Sequence, residues 1–109
     1  MVNGNLLTDN FIEALNIKFP VVNSWDDAFD VQHGRKFNKI VRSHNGQSKS
    51  VFAFVEIATG KLIKAATWSA PAKRVDGTLQ SKWNLDTEFN EAIDASDKYG
   101  GFLYSAQAK

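Results

Sequence analysis

Two short turn signals in the middle of the chain constrain the fold most strongly, because each separates runs rich in β-branched and aromatic residues. The first is His44-Asn45-Gly46-Gln47, whose Asn-Gly pair is typical of two-residue hairpin turns. The second is Ala58-Thr59-Gly60-Lys61. Strands joined by connections this short pair in antiparallel orientation. The pattern predicts a meander of three antiparallel strands at about residues 36–43, 50–57 and 62–68, with Phe102-Leu103-Tyr104 as a candidate fourth strand.

The middle predicted strand is apolar on both sides. Side chains alternate between the two faces of a strand. On this pattern one face carries Val51, Ala53, Val55 and Ile57, and the other carries Phe52, Phe54 and Glu56. We expect helices to cover the first face. Phe52 and Phe54 would then share the second face, where bases can stack if no helix covers them.

The same strand resembles the aromatic signature of RNA-recognition domains but departs from it. Phe52-Ala53-Phe54-Val55-Glu56 matches the core of that signature. Ser50, Val51 and Ile57 stand where the signature has a basic residue, a glycine and an aromatic residue. The segment that follows also has the pattern of a strand where that fold needs a helix. We attribute the similarity to convergence on a good strand.

Helical periodicity marks the segment before the strands. Apolar residues at helical spacing, ending before Pro20, predict a helix over about 9–18. Ser24 and Asp27 resemble a capping box, and Gly34 follows at helix-stopping distance. These signals predict a second, short helix between Ser24 and Gly34.

The clearest helix is expected at about 86–98, where the apolar residues share one face and the acidic residues lie mostly elsewhere. We expect it to pack on the face of Val51, Val55 and Ile57. The predicted fold class is α+β, a small antiparallel three- to four-stranded sheet with helices packed on one face. A chain of 109 residues has the usual length of one domain, so residues 1–109 are assigned to a single domain.

Charge is segregated along the chain, although the overall formal charge is only +1. Residues 1–33 carry a net charge of −4, residues 34–83 of +8 and residues 84–109 of −3. A basic middle between acidic ends is typical of a site for anions, nucleic acid above all. The alternative is that the acidic flanks pack beside the basic middle and neutralise it.

A long segment without either period, residues 69–83, follows the predicted meander. Loops of this length inside a compact domain are uncommon and are often functional. Its basic and aromatic residues suit an anionic ligand with flat faces. The alternative is that Trp68 and Trp83 are core anchors, the more frequent role of any single tryptophan and the one we expect for Trp68.

The residue types argue against an enzyme. The chain has no cysteine, so it has neither a cysteine nucleophile nor a thiolate metal site. Gly60-Lys61 lacks the glycine spacing and the following Ser or Thr of a phosphate-binding loop. No apolar run approaches the roughly 20 residues that span a bilayer. We predict a soluble protein with no catalytic residues, no metal, no cofactor and no membrane partner.

One segment resembles a group of small proteins of tailed bacteriophages. In that group a Phe-Val strand, a Thr-Gly turn and a Lys-Ala-Ala-Thr/Ser-Trp-x-Ala-Pro-Ala-Lys segment recur. Here they are matched by residues 51–55 and by the run from Thr59 to Lys73, and Tyr99-Gly100-Gly101 matches a closing Tyr-Gly segment. The resemblance covers a little over a third of the chain and implies a viral origin. It brings no activity with it.

We therefore predict a small non-enzymatic phage protein that binds nucleic acid through a basic, aromatic-bearing sheet and loop, in the host cytoplasm or in the virion. One alternative is a module that binds a host or virion protein through the same surface. Another is a binder of a small anionic nucleotide. The candidate nucleic-acid-binding residues are Arg35, Lys39, Arg42, Lys64, Trp68, Lys73, Arg74, Lys82 and Trp83.

Overall fold

The computed structural model describes residues 2–21, 27–44, 48–73, 75–77, 81–96 and 103. The elements in chain order are α1 (Gly4–Lys18), β1 (Asp27–Gln32), β2 (Phe37–His44), β3 (Ser48–Glu56), β4 (Lys61–Ile63), β5 (Ser81–Asn84) and α2 (Phe89–Ala95). Within these residues the strands form one antiparallel sheet of five strands in the order β1-β2-β3-β4-β5. The α+β class is confirmed, and the sheet is larger than the predicted three to four strands.

The predicted meander is present as β2, β3 and β4. The turn between β3 and β4 closes where the Gly60 nitrogen donates to the Glu56 carbonyl at 2.8 Å. Gly60 has a φ of +80°, a conformation that glycine adopts without strain. The Asn45-Gly46 turn lies outside the described residues. The third strand is shorter than predicted, since the chain leaves the sheet after Ile63.

The predicted helix between Ser24 and Gly34 is wrong, because the described part of this segment is β1, an edge strand. Phe29 and Val31 alternate onto the core side and pair with Arg42 and Ile40 of β2. The Asn16 side chain accepts from the Phe29 nitrogen and donates to the Phe29 oxygen, both at 3.2 Å. Pairing with distant residues has therefore overridden the local capping signal.

The predicted loop 69–83 contains β5, which the sequence pattern missed. β5 is four residues long, too short for alternation to be visible, and its Trp83 pairs with Leu62 of β4. The candidate fourth strand at 102–104 is not a strand at Leu103, which is in a 3₁₀ conformation and buried in the core. Its two neighbours lie outside the described residues.

Helix α1 covers the part of the sheet formed by β1, β2 and β3. It contacts β1, β2 and β3 and buries Phe11, Ile12 and Leu15 against them. It begins earlier than the predicted residue 9, because Asn3 accepts from the Leu6 nitrogen at 3.1 Å and caps it.

The second helix, α2, lies beside α1 and β5 and is shorter than the predicted 86–98. The expectation that it covers the face of Val51, Val55 and Ile57 is therefore wrong, since α1 holds the central position. The Lys18 ammonium group joins the two helices by donating to the carbonyls of Ile93 at 2.6 Å and Ser96 at 2.8 Å. A cation at this end also complements the partial negative charge of the helix C-terminus.

A β-bulge between β2 and β3 changes which side chains reach the core. Ile40 pairs with Ala53, but the next residue of β2, Val41, pairs with Val51. Phe52 is the extra residue, and its ring packs into the core with its centroid 5.0 Å from that of Phe29. The predicted sharing of one face by Phe52 and Phe54 is therefore wrong. Simple alternation cannot locate a bulge, which is set by pairing with the neighbouring strand.

Gly4→Ala is expected to destabilise the protein by about 1–3 kcal/mol. Helix propensity alone predicts a gain of about 1 kcal/mol. However, the Gly4 nitrogen donates to the Ile57 oxygen at 3.1 Å, and an added Cβ would lie 2.7 Å from the Ile57 carbonyl carbon. Urea denaturation measures the change, with Asn10→Ala on the exposed side of α1 as the control. A Gly4→Ala protein at least as stable as the parent would show that the backbone at Ile57 can move to accommodate the added Cβ without loss of stability.

Candidate functional site

The candidate site lies on the face of the sheet opposite α1, here called the open face. Alternation and register place Lys39 of β2, Phe54 of β3 and Ile63 of β4 side by side on it. Phe54 and Ile63 are nevertheless buried. The open face is therefore partly covered by another part of the chain.

That cover is a hairpin formed by residues 64–72, here called the 64–72 hairpin. The Ala72 nitrogen donates to the Lys64 oxygen at 2.9 Å, and Ala65 bridges to Pro71. The Ala66 nitrogen donates to the Ala70 oxygen at 3.0 Å and closes the tip. The first four residues of the predicted structureless loop, 69–72, thus belong to a compact hairpin that folds back over the sheet.

A cleft of about 300 Å³ opens between the hairpin tip and the connection from β1 to β2. Its lining combines three cationic side chains with two phenylalanines, and consists of Gln32, His33, Gly34, Arg35, Lys36, Phe37, Lys39, Phe54 and Ser69. The rings of Phe37 and Phe54 meet edge to face at 6.3 Å. Because Phe54 is buried and Phe37 is half-buried, the cations are the main groups that the cleft presents to a ligand.

Trp68 stands beside this cleft at the tip of the hairpin. The Lys39 ammonium nitrogen lies 4.2 Å from the centroid of its ring, within the range of a cation–π interaction. Trp68 is 45% exposed, so the expectation that it is a core anchor is wrong. The hairpin carries it away from the core and leaves part of its ring accessible.

A buried polar network holds the cleft wall in place. Asn38 is fully buried and donates to Asn5 Oδ1 at 2.8 Å and to Thr8 Oγ1 at 3.1 Å. Asn38 Oδ1 accepts from the Gly34 nitrogen at 3.4 Å and lies within hydrogen-bond distance of His33 Nδ1 at 3.1 Å. The residue therefore ties the β1–β2 connection, which carries Arg35 and Lys36, to α1.

His33 joins this network through Nδ1. This nitrogen lies 3.1 Å from Asn38 Oδ1 and 3.3 Å from Asn5 Oδ1. Nε2 lies 3.7 Å from the Asp9 carboxylate. This network was not predicted, because its one signal in the sequence is a polar residue, Asn38, two positions from Ile40 on the core side of β2.

Acidic residues on the open face are engaged locally. The Asp30 carboxylate accepts from the Val31 nitrogen at 2.8 Å, and Glu56 accepts from the Thr59 hydroxyl at 2.5 Å. Within the described residues, Arg35 and Lys36 form no ion pair with either carboxylate. The lining of the cleft itself contains Arg35, Lys36 and Lys39 and no carboxylate.

The structure brings together some of the predicted site residues and separates others. Arg35, Lys39 and Trp68 meet at the cleft, and Lys36, which was not predicted, joins them. Lys64 and Lys73 lie at the base of the hairpin, the first half-buried and the second exposed. Arg74 and the Lys82 side chain lie outside the described residues.

Two of the predicted site residues lie elsewhere. Arg42 pairs with Phe29 and falls on the α1 side of the sheet, because it is three positions from Lys39 and odd spacing reverses the face of a strand. Trp83 is 8% exposed and packs in the core. Its core-anchor alternative is the one that the structure supports.

Among the described residues, no helix is long and apolar enough to cross a membrane.

Comparison with known proteins gives a family but no activity. No curated protein and no solved structure matches the chain. One family model, described as a family of unknown function, matches residues 5–105. Because this match spans nearly the whole chain, the protein belongs to that family, DUF7717.

Proposed function

We propose that this protein binds single-stranded nucleic acid at the cleft of the open face, without catalysing a reaction. The observation that carries the proposal is the grouping of Arg35, Lys36 and Lys39 around an aromatic wall, with Trp68 exposed beside it. Cations that contact phosphates and aromatic rings that stack on bases are the combination used for sequence-tolerant binding of single strands.

The geometry favours a single strand over a duplex. The ring of Trp68 can stack only on a base whose face is free, and bases of a duplex are already stacked on each other. The phenylalanines of the cleft lie deeper, since Phe54 is buried and Phe37 is half-buried. We assign stacking to Trp68 and phosphate contacts to the cations at the rim.

We also infer a viral origin, with the protein acting in the host cytoplasm or in the virion. The run from Thr59 to Lys73 that resembles proteins of tailed bacteriophages includes the whole 64–72 hairpin and Trp68. The resemblance therefore falls on the segment that shapes one side of the cleft.

A salt titration tests the charge part of the proposal. A fluorescently labelled single strand of about ten nucleotides, as DNA and as RNA, should bind at low salt and dissociate as salt rises. Three phosphate contacts predict a slope of about −2 in the plot of log affinity against log salt. Lys36→Ala should reduce this slope by about 0.7. Lys61→Ala, which removes the same charge from an exposed position outside the cleft, should leave it near the parent value.

Three results would contradict the proposal. The first is no binding at micromolar protein in low salt, and the second is binding that does not respond to salt. The third is an equal response of the Lys36 and Lys61 variants, which would indicate a diffuse effect of net charge. Stoichiometric binding to a host or virion protein at this face, without nucleic acid, would favour the protein-partner alternative.

A small anionic nucleotide is a second candidate, favoured by the size of the cleft. Its volume of about 300 Å³ is at the lower end of small-molecule sites. A nucleotide that fills it should raise the melting temperature by itself and should compete with the labelled strand. Strand binding without any effect of mononucleotides would leave nucleic acid as the ligand.

A further inference from the structure

A second surface, on the helical side of the molecule, is apolar with acidic residues at its edge, whereas the cleft is lined by cations. α1 buries Phe11, Ile12 and Leu15 on its inner side, yet its outer side also carries large apolar residues. Leu6 is 55% exposed and Ile17 is 72% exposed. They lie eleven positions apart, close to three helical turns, and so belong to one stripe along the helix.

This stripe borders a groove of about 490 Å³ between α1 and the start of α2. Leu7, Ile17 and Phe89 contribute apolar lining together with the buried Leu85. Glu13 and Asp86 are the charged residues in the lining, and both are exposed. The groove is therefore apolar inside and acidic at its edge.

The wider surroundings of the groove are also acidic. Residues 1–17 and 84–96, which include nearly all of α1 and all of α2, contain six Asp and Glu and no Lys or Arg. Five of these acids remain when Asp9, which lies beside His33, is left out. The next cation, Lys18, has its ammonium group on carbonyls at the end of α2. This charge repels nucleic acid and anionic membranes and attracts a basic partner.

We propose that the groove is a docking site for a basic amphipathic helix of another protein. The lining from Leu7 to Ile17 runs along α1 for about 15 Å, the length of two to three turns of a second helix. A helix with one apolar face enters such a groove with side chains spaced at i, i+3, i+4 and i+7. Its Lys or Arg residues then face Glu13 and Asp86.

Charge also argues against a second copy of this chain in the groove. A symmetric dimer places the same surface of both copies together. Here that arrangement would bring two acidic surfaces into contact. A basic partner would not be repelled by the acidic groove. It would also leave the cleft free for nucleic acid.

The test uses a labelled synthetic peptide of about 14 residues, built from Leu and Lys with leucines at i, i+3, i+4 and i+7. A matched peptide carries Glu in place of every Lys. Fluorescence anisotropy with the full chain should show saturable binding of the Lys peptide and binding at least roughly tenfold weaker for the Glu peptide.

Ile17→Ser should weaken the Lys peptide by roughly tenfold, as expected when a large apolar contact is lost. Val75→Ser, which alters a fully exposed valine outside the groove, is the matched control and should bind like the parent. Because Ile17 is mostly exposed, its variant should keep the parent's melting temperature. It should also keep the parent's affinity for the labelled nucleic acid, which separates this proposal from the proposed function.

Two outcomes would overturn the docking proposal. One is equal binding of the Lys and Glu peptides, or equal binding by the Ile17 and Val75 variants. The other is a parent protein that dimerises in sedimentation experiments and becomes monomeric with Ile17→Ser, which would identify a second copy as the occupant.

Discussion

Trp83→Ala is expected to lower the free energy of unfolding by about 3–5 kcal/mol, the usual loss for a large buried aromatic side chain. Trp83 is 8% exposed and belongs to the core shared by the sheet and both helices. Its partner across the β4–β5 pairing, Leu62, is fully buried. Removing the indole would leave a cavity next to β4, which is three residues long and pairs with β3 at two positions. Urea denaturation followed by circular dichroism measures the loss.

Trp68→Ala is the matched comparison, because it removes the same side chain from the hairpin tip. With 45% of Trp68 exposed, we expect a much smaller change in stability, about 1 kcal/mol or less. Affinity for single-stranded nucleic acid should instead fall by about 1–3 kcal/mol, the usual contribution of stacking on one base. If Trp68→Ala unfolds the protein, or if its affinity matches that of the parent, Trp68 is not a stacking surface.

Asn38→Ala has the second large expected effect, a loss of roughly 2–4 kcal/mol in the free energy of unfolding. Asn38 is fully buried and its side chain makes hydrogen bonds to Asn5, Thr8, His33 and the Gly34 nitrogen. Truncation removes these bonds and leaves buried polar atoms without the partner they have in the parent. Chemical denaturation at neutral pH measures the change.

Asn90→Ala is the control for Asn38→Ala, since Asn90 is exposed on α2 and its loss should change stability by less than about 0.5 kcal/mol. The Asn38 variant has a second readout. Because Asn38 anchors the connection that carries Arg35 and Lys36, affinity for nucleic acid should fall under conditions where the variant is still folded. Parent-like stability and affinity together would show that the network does not position the cleft.

Local signals predicted the elements that depend on neighbours in the sequence. The Thr-Gly turn predicted the β3–β4 connection because the conformation of Gly60 is a property of that residue. The segment of α1 was predicted for a similar reason, its apolar period being visible within fifteen residues. At β1 the local signal gave a wrong prediction. Ser24 and Asp27 resemble a capping box and predicted a helix, whereas the segment from Asp27 to Gln32 pairs with β2 as a strand.

The site shows the same division between local and distant information. The order of charged residues along the sequence by itself determined that cations concentrate between residues 34 and 83 and that both flanks are acidic. Only the tertiary structure decided which of those cations meet. Sheet register put Lys39 and Arg42 on opposite faces, the β1–β2 connection added Lys36, and the 64–72 hairpin brought Trp68 to Lys39. Charge is a property of each residue, whereas a site depends on contacts between residues far apart in the chain, and those are set by the packing of the whole domain.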